Sequence, residues 1–216
     1  MIRAVLFDFD LTLAESTQGV LECANYALMR IGLPSVPEEA VRRTIGLPLQ
    51  DSFRLLSGRS DSQMETDFAR WFVRRADQVM AALTIVFPET TVALERLRLD
   101  GVKAAVVSTK FRYRIESILA RDGLSWAFDT IVGGEDVAHP KPDPEGIQRA
   151  LRAMGVEPAD ALYVGDHPVD ARAALAAGVR FVATLTGSSA KGDFTDVPVS
   201  GFMRTLAELG SLIGDL

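Results

Sequence analysis

The chain has 216 residues, of which 48% are hydrophobic and 24% are charged, a composition typical of a folded globular protein and not of a disordered one. Its formal net charge is −6 and its isoelectric point is near 5.0, so it lacks the basic surface that nucleic acids and anionic membranes favour, and we expect neither as a partner. The N-terminus does not have the pattern of a signal peptide, and no apolar run is long enough to span a membrane. We therefore expect a cytoplasmic protein.

Short apolar runs alternate with helical segments along most of the chain. Continuous apolar runs of this length predict strands buried on both faces: Ala4–Phe7, Ala104–Val107, Thr130–Val132, Ala161–Val164 and Phe181–Ala183. Four segments with helical periodicity each end at a glycine, which favours helix termination: Val92–Asp100, Ile115–Asp122, Ile147–Met154 and Ala171–Ala177. This repeat predicts an α/β fold with a doubly wound, Rossmann-like parallel sheet.

Residues 15–83 interrupt this alternation, because they contain no convincing strand. The predicted helices there are Ser16–Ile31, Pro37–Ile45, Pro48–Leu56 and Ser60–Leu83. Since ligands bind at the carboxyl edge of an open α/β sheet, we expect this insert to form a helical cap domain over that edge. The predicted catalytic core comprises residues 1–14 and 84–216.

The single cysteine, Cys23, has no intrachain partner for a disulfide. Its apolar neighbours recur at helical spacing, so it is predicted to be a buried hydrophobic side chain.

Asp8 and Asp10 follow the first predicted strand, in the segment Leu6–Thr12. Two carboxylates at one strand tip are costly unless a cation compensates them, and Mg²⁺ prefers oxygen ligands. One carboxylate can then attack phosphorus while the other moves the leaving-group proton. Taken alone, the pair is equally consistent with ordinary loop or helix-capping aspartates.

Asp166 and Asp170 follow the predicted strand Ala161–Val164, and we expect them at the same edge of the sheet. Four carboxylates that converge from separate strand tips are difficult to explain without a metal ion. Asp170 is also placed to cap the following helix.

Ser108 and Lys141 follow the second and third predicted strands of the core. The Ser108 hydroxyl, with Thr109 and Lys110 beside it, is placed to bind a phosphoryl oxygen, although a plain helix cap explains this tripeptide equally well. Flanking prolines restrict the backbone around Lys141, whose charge can offset those of a nucleophile and a phosphoryl group. The alternative for Lys141 is a solvated surface lysine.

The order of these motifs, an acidic pair, a hydroxyl, a lysine and an acidic pair, resembles the haloacid-dehalogenase superfamily over essentially the whole chain. The resemblance implies that Asp8 is the nucleophile, which forms an aspartyl-phosphate and ligates Mg²⁺. It implies that Asp10 is the general acid and then the base, and that its backbone carbonyl also ligates the metal. Thr12 belongs to the same motif and is a candidate for substrate binding.

The resemblance also assigns the groups on the other strands. Ser108 is implied to bind the phosphoryl group and Lys141 to offset its charge. Asp166 is implied to be a metal ligand, with Asp170 supporting the metal shell or Lys141. The helical insert resembles the type-one cap of the superfamily.

Three positions depart from the usual pattern of such phosphatases. Leu11 and His167 stand where glycine and serine are common, and Thr109 stands where asparagine is common. No catalytic group is lost, so these departures concern the substrate and not the chemistry.

Two other reactions of the superfamily are disfavoured. The dehalogenases of this superfamily lack an aspartate two residues after the nucleophile, at the position of Asp10, because their halide leaving group needs no proton. Phosphonate cleavage requires a Schiff-base lysine in the cap, and residues 15–83 contain no lysine.

Arg43 and Gly46 belong to a cap segment similar to the specificity loop of phosphoglycolate phosphatases, related pyrophosphatases and β-phosphoglucomutase. The Arg43 guanidinium would suit a substrate carboxylate or second phosphate, although a solvated arginine is an equal alternative. The sequence therefore predicts a small phosphorylated metabolite such as 2-phosphoglycolate, with pyrophosphatase or mutase activity as alternatives.

A catalytically silent protein that senses a phosphorylated ligand is an alternative of another class, although no motif residue is missing. We expect a monomer or a homodimer. Trp71–Val73 and a predicted C-terminal helix over Met203–Ile213 are candidate dimer surfaces, but their helical spacing equally predicts core positions.

Overall fold

The structure, a computed structural model, describes residues 1–215. The strands within this range are β1 (Ala4–Phe7), β2 (Ala14–Glu15), β3 (Ile85–Val86), β4 (Lys103–Val107), β5 (Thr130–Val132), β6 (Ala161–Gly165), β7 (Arg180–Thr184) and β8 (Gly201–Met203). The α-helices are α1 (Thr17–Arg30), α2 (Glu38–Arg42), α3 (Leu49–Ser57), α4 (Ser62–Leu83), α5 (Pro88–Leu99), α6 (Arg112–Arg121), α7 (Glu145–Met154), α8 (Pro168–Ala176) and α9 (Leu209–Asp215).

Six strands form one sheet in the order β5-β4-β1-β6-β7-β8, and all neighbouring strands in it are parallel. The strands are apolar because both faces of the sheet are covered. In β1, Val5 and Phe7 pack into the apolar cluster on one face, whereas Ala4 and Leu6 pack into the cluster on the other. This arrangement confirms the predicted doubly wound α/β fold.

The glycines predicted to end four core helices all have a positive φ, between 63° and 72°. L-residues rarely adopt this left-handed conformation, whereas glycine adopts it without steric cost. The chain therefore leaves each of these helices and turns into the next strand or loop at the expected residue: Gly101, Gly123, Gly155 and Gly178.

The predicted C-terminal helix over Met203–Ile213 is wrong at its start. Met203 ends the edge strand β8, which pairs with β7, and a 3-10 turn at Leu206–Glu208 precedes α9. A three-residue strand is too short to show its own periodicity, and the leucines that follow have helical spacing. Pairing with β7 therefore determines that this segment is a strand.

Helices α1 to α4 form the helical insert, between β2 and β3. These two short strands pair antiparallel, Ala14 with Val86 and Glu15 with Ile85, and so bring together the points where the chain leaves and re-enters the core. The insert has its own apolar cluster, which includes Cys23, as predicted. The division into residues 15–83 and the remainder stays a prediction.

Within residues 1–215, no helix combines the length and apolar character needed to cross a bilayer.

Candidate active site

The polar residues predicted from the motifs lie together at the carboxyl edge of the sheet. Asp8 follows β1, Ser108 follows β4 and Asp166 follows β6. Because β4, β1 and β6 are adjacent parallel strands, their carboxyl ends bring these residues to one place. All three are buried, with between 1% and 6% of their surface exposed.

Asp8 has few hydrogen-bond partners for a buried carboxylate. Its Oδ1 accepts a hydrogen bond from the Phe9 N–H at 2.7 Å, and its Oδ2 lies 3.1 Å from Lys141 Nζ but accepts no well-aligned hydrogen bond. Burial raises the pKa of Asp8 to about 6, against the lowering effect of Lys141, and Asp170 and Asp10 add repulsion. The site therefore has too little positive charge to compensate Asp8 fully.

Lys141, in the loop after β5, is 5% exposed and lies among acceptors. Its Nζ is 2.5 Å from Asp170 Oδ1 and donates to the Tyr163 hydroxyl at 3.2 Å. Burial opposes the charged form, but Asp170 and Asp8 outweigh it and hold the pKa of Lys141 well above its ordinary value. Lys141 is thus a fixed, buried cation beside Asp8.

Tyr163 was missed by the sequence reasoning. Its hydroxyl donates to the Val107 carbonyl at 2.8 Å and accepts from Lys141, so it links β6, β4 and the lysine. The sequence does contain a signal for it, because Tyr163 is the one phenol in an otherwise apolar predicted strand. A buried hydroxyl requires a hydrogen-bond partner.

Asp10 and Lys110 form a second buried ion pair, with Lys110 Nζ 2.9 Å from Asp10 Oδ1. Lys110 therefore faces the acidic pair rather than solvent. The Thr109 hydroxyl donates to the Gly46 carbonyl of the helical insert at 3.3 Å, so Thr109 joins the core to the insert. Ser108 Oγ accepts a long hydrogen bond from the Lys110 N–H at 3.3 Å.

Asp166 and Asp170 complete the acidic set. The Thr12 hydroxyl donates to Asp166 Oδ1 at 3.3 Å, and Asp170 Oδ2 accepts from the His167 N–H at 3.1 Å at the start of α8. Asp170 thus caps α8 while its other oxygen contacts Lys141. Burial, with repulsion from Asp170 and Asp8, holds the pKa of Asp166 well above its ordinary value.

The acidic set fits a divalent cation. Carboxylate oxygens of Asp8, Asp166 and Asp170 lie within 4.8 Å of one another. Four buried carboxylates, counting Asp10, face two buried lysines, and Asp8 Oδ2 has no hydrogen bond. A hard cation with oxygen ligands would supply the missing positive charge.

The loop after β7 packs against the Asp166 carboxylate, and the sequence analysis did not identify this loop. A Cβ atom at Gly187 would lie 1.9 Å from Asp166 Oδ2, so only glycine fits against that carboxylate. The sequence feature that could have identified this loop is the pair Thr186-Gly187, which follows a predicted strand at the same edge of the sheet.

The two insert residues predicted to bind substrate lie in different places. Gly46, with φ of 91°, approaches the nucleophile, since a Cβ atom there would lie 4.0 Å from Asp8 Oδ2. The Arg43 side chain is 71% exposed and pairs with Glu39 at 3.0 Å, away from the acidic set. The preceding Arg42 instead faces the core and donates to the Thr186 carbonyl at 2.8 Å.

A cavity of about 540 Å³ lies between the insert and the catalytic edge. Asp10, Thr109 and Lys110 line its core side, and Gly46 lines its insert side. The cavity is large enough for an organic ligand and reaches Asp10, two residues after the nucleophile candidate Asp8.

Comparison with known proteins gives related sequences over most of the chain. The family model described as haloacid dehalogenase-like hydrolase matches residues 5–184. A plasmid phosphoglycolate phosphatase from Cupriavidus necator is 32% identical over 216 residues, which cover 97% of this chain and 92% of the relative. A pyrophosphatase from Oceanobacillus iheyensis is 32% identical over 169 residues, and the match covers 78% of this chain and 77% of the relative.

A solved structure of a haloacid dehalogenase-like hydrolase from Bacteroides fragilis is similar over the whole fold. It is 39% identical, with a TM-score of 0.93, and the match covers 97% of this chain and 100% of that one.

Proposed function

The chain belongs to the haloacid dehalogenase-like hydrolase family and is a phosphatase, and from this premise we propose that it hydrolyses a phosphate monoester through a covalent aspartyl-phosphate on Asp8. The observation that carries the proposal is the buried contact of Asp8 Oδ2 with Lys141 Nζ at 3.1 Å, beside the Asp10–Lys110 pair. A nucleophile, a fixed cation and a second carboxyl group are the parts that such a reaction requires.

In the first step Asp8 attacks phosphorus, and the bond from phosphorus to the leaving oxygen breaks. Asp10 gives its proton to that oxygen, so the alcohol leaves neutral. In the second step a water molecule attacks the phosphorus, Asp10 takes its proton and the Asp8–phosphate bond breaks. Lys141 offsets the negative charge of the phosphoryl oxygens, and Ser108 is placed to donate a hydrogen bond to one of them.

We assign Mg²⁺ as the metal. The carboxylates of Asp8 and Asp166 and the carbonyl of Asp10 would hold it, with Asp170 supporting Lys141 and the acidic set. When bound, the ion supplies the positive charge that lets a phosphate dianion approach these carboxylates. Thr12 and the loop with Gly187 fix Asp166 in place.

The names of the relatives make 2-phosphoglycolate and pyrophosphate the first candidate substrates. Thr109, Lys110 and Gly46 line the cavity that such a substrate would enter, whereas Arg43 does not. A cytoplasmic location and a monomeric or homodimeric state stay predictions.

The test is phosphate release from a panel of monoesters with Mg²⁺ present or chelated, for the wild type and for Asp8→Asn. Because Asp8 forms the covalent bond, Asp8→Asn is expected to lower kcat by at least about 10³-fold. Mass spectrometry of acid-quenched wild type should detect phosphate on the peptide that contains Asp8.

Asp100→Asn is the matched control, since Asp100 lies on the surface after α5 and its side chain pairs, among the described residues, only with Arg96. It should retain wild-type activity. Phosphate release by Asp8→Asn at the rate of this control would contradict the proposal.

A further inference from the structure

We propose that the substrate is a phosphate monoester of a sizeable apolar alcohol, whose hydrocarbon part lies inside the helical insert. This inference rests on the proposed function and specifies its substrate class. It differs from the small anionic metabolite that the sequence predicts.

The cavity that opens onto Asp10 extends between the helices of the insert. Apolar side chains on α1, α3 and α4 line its insert side: Val20, Ala24, Leu56, Phe68, Phe72 and Met80. Val20 and Leu56 are partly exposed, whereas Ala24, Phe68 and Met80 are at most 2% exposed. These residues belong to or pack against the apolar cluster of the insert, so a ligand there would be surrounded by hydrocarbon. The volume of about 540 Å³ far exceeds that of a two-carbon acid.

The described cations that line the cavity already have acidic partners. Lys110 lies 2.9 Å from Asp10, and Arg114 lies 2.6 Å from Asp77. Arg70 lies 2.7 Å from Asp67, and its side chain is 65% exposed, so its charge lies mainly in solvent.

Lys110 contacts Asp10 at the catalytic end of the cavity, whereas Val20, Leu56 and Phe72 on the insert side carry no charge. A carboxylate or a second phosphate among these apolar side chains would lose its hydration without gaining a counter-charge, which is costly. A hydrocarbon chain has no such cost, and its burial is favourable. The distribution of charge therefore favours an uncharged, apolar leaving group.

Asp10 connects this specificity to the chemistry, because it lines the cavity and is the proton donor of the proposed mechanism. An apolar alcohol leaves poorly as an alkoxide. When the bond from phosphorus to oxygen breaks, the proton of Asp10 goes to that oxygen and a neutral alcohol forms at the mouth of the apolar cavity.

The experiment measures kcat/KM for ethyl, butyl, hexyl and octyl phosphate and for 2-phosphoglycolate, with Mg²⁺. We expect kcat/KM to rise about fourfold per added methylene, the equivalent of ~0.8 kcal/mol, until the cavity is filled. Hexyl phosphate should then exceed 2-phosphoglycolate. Equal values for all alkyl esters, or 2-phosphoglycolate as the best substrate, would overturn the inference while leaving the Asp8 chemistry intact.

A pair of variants on α3 tests whether the preference for long alkyl chains arises in this cavity. Leu56→Gln places an amide in the cavity and should lower kcat/KM for octyl phosphate by about tenfold while leaving ethyl phosphate unchanged. Leu55→Gln is the matched control, because Leu55 is 64% exposed and outside the cavity.

Equal chain-length profiles for these two variants would overturn the inference, and the wild-type series decides it if Leu56→Gln does not fold. Absence of Asp8-dependent phosphate release from every ester would instead refute the proposed function itself.

Discussion

Leu11, directly after Asp10 in the turn that follows β1, is the only described residue other than glycine with a positive φ, at 58°. An L-residue in this region is strained by about 1–2 kcal/mol, because its Cβ approaches the following carbonyl oxygen. The backbone is held there by a hydrogen bond from the Leu11 N–H to the Ala14 carbonyl at 2.7 Å. The side chain is fully buried, which offsets the strain.

Replacement of Leu11 should reverse the usual order of alanine and glycine. Both Leu11→Ala and Leu11→Gly lose the buried side chain and should lower the free energy of unfolding by ~2–5 kcal/mol. Leu11→Gly also loses the strain, so it should be the more stable of the two by about 1 kcal/mol in urea unfolding. Greater stability of Leu11→Ala would show that the left-handed turn is not strained.

At the scale of elements, a chain of hydrogen bonds connects α2 of the helical insert to the turn after β1. Arg42 donates to the Thr186 carbonyl and, at 2.9 Å, to the Thr17 hydroxyl, and the Thr186 hydroxyl donates to the Leu11 carbonyl. Arg42 also pairs with Glu15 at 3.3 Å, where the chain enters the insert. One side chain thus joins α2 to the loop after β7, to β2 and to the start of α1.

Arg42→Gln should loosen the loop after β7, because it removes the charged donor to Thr186. Hydrogen exchange of the amides in residues 185–189 is expected to accelerate by about tenfold, equal to the ~1.4 kcal/mol typical of such a contact.

Arg43→Gln is the control for this prediction, since within residues 1–215 the Arg43 side chain pairs only with Glu39. It should leave exchange in that loop unchanged. Equal exchange in both variants would mean that Arg42 does not hold the loop.

At the scale of the whole molecule, the insert and the sheet have separate apolar clusters. Two clusters cover the two faces of the sheet, and a smaller one lies among α1, α3 and α4 and contains Cys23. Burial raises the pKa of the Cys23 thiol to about 12, so the reactive thiolate is scarce while the insert is folded. The single cysteine therefore reports on the insert alone.

Cys23 should resist alkylation by iodoacetamide in the native protein at mildly alkaline pH, by at least about 10³-fold relative to the unfolded chain. Labelling of Cys23 should begin at a lower urea concentration than hydrogen exchange of the β1 amides, because the smaller apolar core of the insert is the less stable one. Mass spectrometry follows both signals in one sample. Coincident transitions would contradict independent opening and show that the two parts unfold as one unit.

Much of the fold was predictable because its signals are local. Apolar runs between glycine-ended helices specify a parallel α/β sheet, and four such glycines do adopt left-handed φ. The strand β8 was not predictable, since its assignment depends on pairing with β7 and not on its own residues. The same limit explains why the helix expected from Met203 begins only at Leu209.

The sequence by itself predicted that Asp8, Asp10 and Asp166 meet, because parallel strands carry the residues at their tips to one edge of the sheet. Lys141 was predicted beside them from its proline-flanked loop and its place in the order of the motifs, whereas the contact of Lys110 with Asp10 was not predicted. Only the tertiary structure decided that Arg42 and not Arg43 faces the core, that Tyr163 and Gly187 support the site, and that the cavity is apolar. These features depend on the side that each helix presents and on close approach between distant segments, which periodicity and spacing do not specify.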